Sequence, residues 1–203
     1  MSTNLKVEPI KPFGPTILKI TIPPDIIKKA NDFADTQENK TNMDHRLVSR
    51  IEDVPKLTDE DMESLGLKDM FLQIGFHYVE SITTIKPYDI KITSAWINNQ
   101  TEDEYNPIHF HKNGKLSAVW YLKIPENKDR GFINDIDGNI DFVYGTSDYH
   151  SLYLGNFCYS PTEGDLLIFP SNLLHTVYPF KGKGLRRTVA LNLDYILSKE
   201  EKK

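Results

Sequence analysis

Cysteine and long apolar runs are scarce in this chain of 203 residues. Cys158 is the only cysteine, so no intramolecular disulfide can form, which is typical of a reducing compartment. No apolar run approaches the roughly 18 residues of a membrane helix, and the N-terminus lacks the apolar stretch of a secretion signal. We therefore expect a soluble, cytoplasmic protein without a membrane partner.

Positive charge is also in deficit. The chain has 24 Lys and Arg residues against 29 Asp and Glu residues, which gives a formal net charge of −5 at pH 7, and its lysines do not cluster. A nucleic-acid partner requires a basic surface that neutralises phosphate. Nucleic-acid binding is therefore not expected.

Helical patterns are confined to the first part of the chain. After a predicted strand at residues 17–22, Pro23-Pro24-Asp25 indicates the start of a helix that ends near Asp35. Thr58, with an acidic residue three positions later, is typical of a capped helix start, and this second helix is expected to run to about Ile85. Between them, residues 36–55 are polar and irregular and contain at most one short strand, at residues 46–51.

From Pro87 onward the hydrophobic pattern changes to the period of two that is typical of strands. Asp137-Gly138 is typical of a tight hairpin between two of the predicted strands. The predicted strands are 90–98, 115–124, 132–136, 140–144, 151–160, 165–170, 176–180 and 187–196.

So many short strands with no helical pattern between them favour an antiparallel sandwich or barrel. We expect a mainly β fold with N-terminal helices, a double-stranded β-helix (a cupin-like jelly roll) braced by two α-helices. The length fits a single domain over residues 1–203. We expect a helical layer at about 1–86, a jelly-roll core at about 87–197 and a disordered tail at 198–203.

Three histidines form an ordered pattern. His109 and His111 are separated by one residue, so in an extended strand both side chains point to the same face. His175 follows 64 residues after the second of them, directly before the predicted strand 176–180. Neutral imidazoles suit Fe, Zn, Ni and Cu, and three of them leave coordination positions open, as a catalytic metal requires. The pattern predicts a metal site on His109, His111 and His175.

Other residues are weaker candidates for this site. A closed structural zinc site would need a fourth ligand, which Cys158 or His150 could supply, although neither has a recognisable spacing. The acidic run Glu102-Asp103-Glu104 is more typical of a solvated loop, and Asp165 of a turn before a buried strand. His45 is expected on the surface, and His77 is expected to be structural.

An anion-binding site is predicted on the C-terminal side of His175 in the sequence. Arg186 and Thr188 are two residues apart in a predicted strand, so a guanidinium and a hydroxyl can converge on one carboxylate. Arg187, between them, would then point outward. Taken without His175, Arg186 would be explained equally well as a positively charged residue at the start of a surface strand.

In the order H-x-H, distant His and Arg, the chain resembles the Fe(II)- and 2-oxoglutarate-dependent dioxygenases, in particular a small bacterial and phage branch related to prolyl hydroxylases. The resemblance covers about residues 91–195, including the segments SAWIN, LSAVWYL and GDLLIFPSNLLH. It implies that the three histidines hold Fe(II). It also implies that the distal carboxylate of 2-oxoglutarate is bound by Arg186, Thr188 and Tyr121, with Asn98 touching this co-substrate.

The chain departs from the wider superfamily at one ligand. The second metal ligand is usually Asp or Glu, and here it is His111. A neutral imidazole removes one negative charge from the site, which is expected to weaken Fe(II) binding and alter the redox chemistry of the metal.

The activity that the resemblance implies is a hydroxylase reaction, in which O2 oxidatively decarboxylates 2-oxoglutarate to succinate while a substrate C–H bond is oxidised. No catalytic residue beyond the metal ligands is implied. The substrate is a small molecule or a peptide, and a homodimer is left open. Two alternatives are a cupin-like three-His metalloenzyme that does not use 2-oxoglutarate and a non-catalytic jelly-roll protein.

Overall fold

The computed structural model describes residues 6–10, 14–37, 49–83, 86–125, 136–145 and 155–197. Within these ranges the chain forms three α-helices and ten β-strands. The helices are α1 (Pro24–Asp35), α2 (Asp59–Leu65) and α3 (Leu67–Thr83). The strands are β1 (Lys6–Ile10), β2 (Ile17–Thr21), β3 (Pro87–Gln100), β4 (Asn106–His109), β5 (Leu116–Lys123), β6 (Ile140–Val143), β7 (Asn156–Tyr159), β8 (Asp165–Pro170), β9 (Leu174–Val177) and β10 (Arg186–Leu197).

The strands form two antiparallel sheets. One has six strands in the order β1-β2-β8-β5-β10-β3, and the other has four in the order β4-β9-β6-β7. Apolar side chains from both sheets pack together in one buried cluster that includes Tyr121, Phe142, Phe169 and Val177. The predicted jelly-roll fold is therefore confirmed, with the sheet-to-sheet core beside strands β4 and β9, which carry His109 and His175.

The helices cover the other face of the six-stranded sheet. Trp120 and Leu191 point from this sheet into a second core, where they meet Ala30 of α1 and Phe71 of α3. The Trp120 and Phe71 rings meet edge to face with their centroids 6.2 Å apart. Because strand side chains alternate, β5 and β10 send one set of residues to the helices and the other set to the space between the sheets.

The prediction of one continuous second helix is wrong, because the structure has two separate helices, α2 and α3, in this region. Gly66 separates α2 from α3 with a φ of 68°, a left-handed conformation that glycine adopts without steric cost. The predicted cap is present, since the Thr58 hydroxyl accepts from the Asp61 backbone N–H and the Asp61 carboxylate accepts from the Thr58 N–H. Three helices rather than two therefore brace the sheet.

The N-terminal segment contributes strands before the helices begin. β2 pairs with β8, and β1, which the sequence pattern did not predict, pairs with β2. The predicted strand at 132–136 falls almost entirely outside the described residues, as does the tail at 198–203. Residues 49–51, the described end of the short strand predicted at 46–51, are not in a strand.

The outer edge of β3 is covered where it borders the cavity. The Leu57 N–H donates to the carbonyl of Ala95, and the Asn99 N–H donates to the carbonyl of Asp53. Ile51 and Val54 of this covering segment pack against Trp96. The segment thus satisfies backbone groups that an edge strand would otherwise expose.

None of the helices among the described residues is long and apolar enough to cross a membrane.

Candidate metal centre

The three predicted histidines lie together between the two sheets. His109 of β4 and His175 of β9 are directly opposite each other in an antiparallel pair, with ring centroids 4.3 Å apart. The His111 ring centroid lies 5.0 Å from that of His109 and 5.2 Å from that of His175. One nitrogen from each ring lies within 4.8 Å of the others, which is a suitable arrangement for a shared metal ion.

His111 is placed by a loop and not by a strand, which corrects the expectation that both histidines of the H-x-H pair lie in one strand. β4 ends at His109. The His111 N–H donates to the carbonyl of Ser171 at 2.9 Å, and the Ser171 N–H donates to the carbonyl of Lys115 at 3.0 Å. The alternation of side chains persists beyond the strand, because Phe110 is 46% exposed while the histidines on either side of it face inward.

The loop after His111 depends on a close backbone approach at Gly114. A Cβ atom at this position would lie 2.7 Å from the carbonyl oxygen of Leu193 in β10, a distance that real Cβ atoms do not show. Next to it, the Lys115 N–H donates to the same carbonyl at 2.8 Å. Glycine therefore allows the loop to lie directly against β10.

Hydrogen bonds to the backbone fix the tautomers of two histidines. The Nδ1 atom of His109 lies 2.7 Å from the carbonyl oxygen of Pro107, and Nδ1 of His175 lies 2.9 Å from that of Leu173. A carbonyl oxygen only accepts, so each Nδ1 carries the hydrogen and donates it. This leaves the Nε2 lone pair of each ring as the ligand.

All three imidazoles are neutral at pH 7. Burial lowers the pKa of His109, and it lowers the pKa of His111 to about 4 and that of His175 to about 3, with a further contribution from the neighbouring histidines. A neutral imidazole is the form that binds metals. The cluster is therefore in its ligand form without any need to lose protons.

A cavity of about 320 Å³ adjoins the histidines. The side chains of Trp96, Val119, Phe169 and Val177 give it apolar walls, and Arg186 and Thr188 also line it. The predicted metal ligands and the predicted anion site therefore share one cavity.

Arg186 is buried to 1% exposure with its guanidinium only partly satisfied. Its Nε donates to the carbonyl of Gly138 at 2.9 Å and its Nη1 to Oε1 of Gln100 at 3.1 Å. Its Nη2 has no hydrogen-bond partner, and neither has the buried hydroxyl of Tyr121, whose ring centroid lies 5.0 Å from the guanidinium carbon.

The surroundings of Arg186 favour an anion. In the part of the chain that the structure describes, no carboxylate lies within salt-bridge distance of it. Burial lowers the pKa of Arg186 and raises that of Tyr121, since each group is removed from water. A buried cation without a counter-charge is costly, and a carboxylate that accepted from Nη2 and from the Tyr121 hydroxyl would remove that cost.

Thr188, Asn98 and Tyr121 lie side by side on three adjacent strands, where Thr188 pairs with Asn98 of β3 and with Tyr121 of β5. The Asn98 Nδ2 donates to the Thr188 hydroxyl oxygen at 3.1 Å, while its Oδ1 accepts from the indole N–H of Trp96 at 3.2 Å. The Thr188 hydrogen is thus left to donate into the cavity. Asn98 orients this hydroxyl and also lines the cavity, so its contact with the co-substrate stays a prediction.

Arg187 points out of the barrel, on the face opposite Arg186, as expected, but it does not reach solvent. It faces the helices with 0% exposure, and its Nη1 donates to Oδ1 of Asp35 in α1 at 2.5 Å. Its Nε donates to Oδ1 of Asn99 at 2.7 Å. Arg187 therefore joins the helical layer to the sheet.

The other candidate ligands are engaged elsewhere. Glu102 accepts from the Gly182 N–H, Asp103 pairs with Lys181, and Glu104 accepts from the Glu52 N–H. Asp165 is the first residue of β8, directly after the turn at 163–164, and accepts from Thr162 and Tyr159. Cys158 is half-buried on β7, and His77 is exposed on α3. His45 and His150 fall outside the described residues.

Two features of the cavity were missed from the sequence. Gln100, fully buried, holds Arg186, and Asn192 with Ser117 forms a polar part of the cavity wall. Extending the alternation of Arg186 and Thr188 along the same strand would have placed Asn192 in the cavity. No pattern along the chain indicates Gln100, which is positioned by pairing with Arg186 across two strands.

Residues 94–192 match the model of a family described as "Putative 2OG-Fe(II) oxygenase". The matched segment contains every histidine of the cluster as well as Arg186, Thr188 and Tyr121. A comparison with curated protein sequences found no match.

Solved structures share the fold at low sequence identity. A prolyl-4-hydroxylase from Pseudomonas putida is 14% identical, with a TM-score of 0.57 over 87% of this chain and 91% of that one. The viral collagen prolyl hydroxylase vCPH from Paramecium bursaria Chlorella virus-1, in complex with 2-oxoglutarate, is 14% identical, with a TM-score of 0.60 over 87% and 94%. HygX from Streptomyces hygroscopicus, with nickel and 2-oxoglutarate bound, is 13% identical, with a TM-score of 0.58 over 87% and 81%. The segment 94–192 is thus similar in sequence to the 2OG-Fe(II) oxygenases, a family of oxidoreductases, and the chain shares its fold with solved hydroxylases.

Proposed function

We propose that the protein is an Fe(II)- and 2-oxoglutarate-dependent oxygenase that uses O2 to convert 2-oxoglutarate to succinate and carbon dioxide while it hydroxylates a C–H bond of a second substrate. One observation carries the proposal: the partly unsatisfied, fully buried guanidinium of Arg186 shares a cavity with three neutral histidines. A buried cation with an unsatisfied donor favours an anionic ligand, and three neutral imidazoles that face one another favour a metal ion.

The donor set fits iron. Three imidazoles within 4.8 Å of one another occupy one side of an ion and leave the other side for co-substrate and oxygen. Imidazole is a suitable ligand for Fe(II), and the backbone carbonyls of Pro107 and Leu173 hold two of the rings in the required tautomer. When bound, iron would allow O2 to act as the oxidant, with two electrons taken from 2-oxoglutarate and two from the substrate C–H bond.

The residues around Arg186 fit the far carboxylate of 2-oxoglutarate. Arg186 donates through Nη2, Tyr121 through its hydroxyl, and Thr188 through the hydrogen that its bond from Asn98 leaves free. Three convergent donors in a dry site bind a carboxylate strongly and fix its orientation. The keto-acid end of the molecule is then directed toward the histidines.

The apolar walls keep the reaction away from bulk water. Val119, Phe169 and Val177 lie between the sheets beside His175, and the Phe169 ring centroid is 5.1 Å from that of His175. No proton-transferring side chain is required in this role, because the residues bind, orient and exclude water. This agrees with the absence of an acidic residue among the described residues that line the cavity.

The structural relatives differ in the molecules that are named with them. Among the structural relatives, one is a viral collagen prolyl hydroxylase and another is HygX with hygromycin B bound. The substrate that we propose is accordingly a peptide or a small molecule, handled by a single-domain protein in the cytoplasm.

A second candidate is a cupin-like metalloenzyme that uses zinc, nickel or iron without 2-oxoglutarate. The observation that favours it is the third neutral ligand, His111, where a carboxylate would add negative charge to an iron site. This candidate leaves the unsatisfied donors of Arg186 and Tyr121 without a function.

The test is anaerobic titration of Fe(II) into metal-free protein with and without 2-oxoglutarate. A visible metal-to-ligand charge-transfer band that needs both components supports the proposal. His175→Ala should abolish the band, whereas His77→Ala, which changes an exposed histidine on α3, should leave it intact. Iron binding without the band would instead favour the cupin-like enzyme.

A further inference from the structure

The cavity wall contains a second polar cluster that neither metal nor 2-oxoglutarate binding uses. The serine–asparagine network consists of Ser94 on β3, Ser117 on β5, Ser171 after β8 and Asn192 on β10. Ser94, Ser117 and Asn192 line the cavity. Ser117 and Asn192 are 2% and 3% exposed, so these are buried polar groups and not a solvated surface.

The network lies far from the anion site along the same strand. Arg186 and Asn192 are six residues apart on β10, which at about 3.3 Å per residue corresponds to about 20 Å. A five-carbon diacid cannot reach both. Trp96 and Ala190 pair with each other between these two ends, and the Trp96 ring centroid is 5.8 Å from that of His111. The histidines therefore lie between the two polar ends of the cavity.

The chemistry of the groups fixes the direction of the hydrogen bonds. The Oδ1 atom of Asn192 only accepts, so the Ser117 hydroxyl donates to it at 2.7 Å. Ser117 has one hydrogen, so the Ser171 hydroxyl must donate to Ser117 over their 3.1 Å contact. The Asn192 Nδ2 then donates to the Ser94 hydroxyl oxygen at 3.1 Å.

This direction leaves unused donors at the end of the network. The Ser94 hydroxyl accepts from Asn192, so its own hydrogen is free to donate. A carboxamide nitrogen has two hydrogens, and the bond to Ser94 uses one of those on Asn192. Both donors lie at the cavity wall, where an acceptor on a ligand would satisfy them.

The backbone around the network holds it rigidly. The register between β3 and β10 shifts between Asn192 and Leu193, and the Thr93 hydroxyl donates to the carbonyl of Asn113 while it lies 3.2 Å from that of Asn192. Such a bulge redirects side chains next to a site. Exposed Lys112 and Asn113 line the cavity as well, and they place this end toward solvent.

We propose that Ser94 and Asn192 form the subsite for the second substrate and that they donate hydrogen bonds to an uncharged acceptor oxygen on it, such as an amide carbonyl. The inference rests on the proposed function, because the bound group is the molecule to be oxidised. Because the Ser94 hydroxyl and the Asn192 carboxamide nitrogen both donate, a substrate group that offers only donors could not satisfy them. The lack of an acidic residue among the described lining residues disfavours a cationic group at this point.

The test uses two probes of nearly equal size, both with N–H donors, of which only one has a hydrogen-bond acceptor. Acetamide offers a carbonyl acceptor, and acetamidinium offers only donors. Each is titrated into Zn(II)- and 2-oxoglutarate-loaded protein, and again into metal-free protein, while the side-chain amide signals of Asn192 are followed by NMR. Those signals are assigned by their loss in Asn192→Asp.

We expect acetamide to shift the Asn192 signals saturably and acetamidinium to leave them in place. Ser94→Ala should weaken acetamide binding about fivefold, the effect of one uncharged hydrogen bond. Ser94→Thr, which keeps a hydroxyl, should restore it, and Ser81→Ala on α3 should have no effect.

Equal shifts with both probes, or an unchanged dissociation constant in Ser94→Ala, would overturn the subsite. Neither result would affect the iron and 2-oxoglutarate titration described above. Conversely, if no charge-transfer band forms with Fe(II) and 2-oxoglutarate, the proposed oxygenase function is overturned. The acetamide titration of metal-free protein would still measure whether this end of the cavity prefers an acceptor.

Discussion

Arg186 and Arg187 are adjacent in β10 and both almost fully buried, yet they lie on opposite faces of one sheet and have different kinds of partner. Arg187 is bonded to Asp35, Asn31 and Asn99 within the fold. Arg186 has neutral partners only and an unsatisfied Nη2. We therefore propose that Arg186 contributes to ligand binding and Arg187 to stability.

Arg186→Gln should weaken 2-oxoglutarate binding by about a hundredfold, because charge-assisted hydrogen bonds to a carboxylate are lost. Fe(II) affinity in the absence of 2-oxoglutarate should be unchanged. Titration of the charge-transfer band measures the first quantity, and equilibrium competition with a chelator measures the second. An unaltered 2-oxoglutarate affinity would remove Arg186 from this role.

Tyr121→Phe separates binding from folding. The Tyr121 hydroxyl is buried without a hydrogen-bond partner, so its removal should leave the free energy of unfolding of the metal-free protein unchanged or slightly higher. The affinity for 2-oxoglutarate should fall about tenfold. Urea unfolding and the band titration provide the two measurements, and a clear loss of stability would show that the hydroxyl has a structural partner.

The histidine cluster predicts a dependence of stability on pH. Each of the three pKa values lies below the ordinary 6.5. As the pH falls below 6.5, the unfolded chain binds protons that the folded chain excludes, so the free energy of unfolding of metal-free protein should decrease. The slope approaches about 1.4 kcal/mol per pH unit for each histidine. The loss should continue toward pH 4, where His111 itself titrates.

Urea unfolding of chelator-treated protein at several pH values between 7 and 5 would measure this slope. His77→Ala, which removes an exposed histidine outside the cluster, is the matched control. Stability that did not change over this range would contradict the buried, neutral state of the cluster.

Asp35→Asn should lower the free energy of unfolding by about 1–2 kcal/mol, because fully buried Arg187 loses its charged partner while Asp35 itself is half-exposed. Asp32→Asn on the same helix is the matched control. Asp32 pairs with Lys28 on the surface, where both side chains are exposed. Asp32→Asn should therefore lower the free energy of unfolding by at most a few tenths of the loss expected for Asp35→Asn. Equal effects of the two changes would argue against the role of Arg187.

Gly114→Ala should displace the loop that positions His111, because the new Cβ would meet the backbone of Leu193. We expect a loss of about 10–100-fold in metal affinity, as for other residues that orient ligands. Gly66→Ala, between α2 and α3, should reduce stability without changing metal affinity per folded molecule. Isothermal titration with Zn(II) would compare the variants.

The sequence predicted those parts of the site that depend on spacing. His109, His111 and His175 were found because alternation and order along the chain are visible in the residues themselves. The bonds of Arg187 to α1 were not predictable, since they join residues 152 positions apart. The break at Gly66 was missed because the apolar stripe continues on both sides of it, and the left-handed backbone there follows from local geometry.

Because side chains alternate along β10, one strand supplies residues both to the cavity and to the core beneath the helices. A strand that slipped by one residue would turn Val189 and Leu191 toward the metal and would turn Thr188 and Asn192 toward the helices. A single-residue insertion or deletion within this strand would therefore destroy the site and the packing together. Variation in β10 among functional descendants of this chain should be restricted to substitutions, and length changes should be found in the loops at its ends.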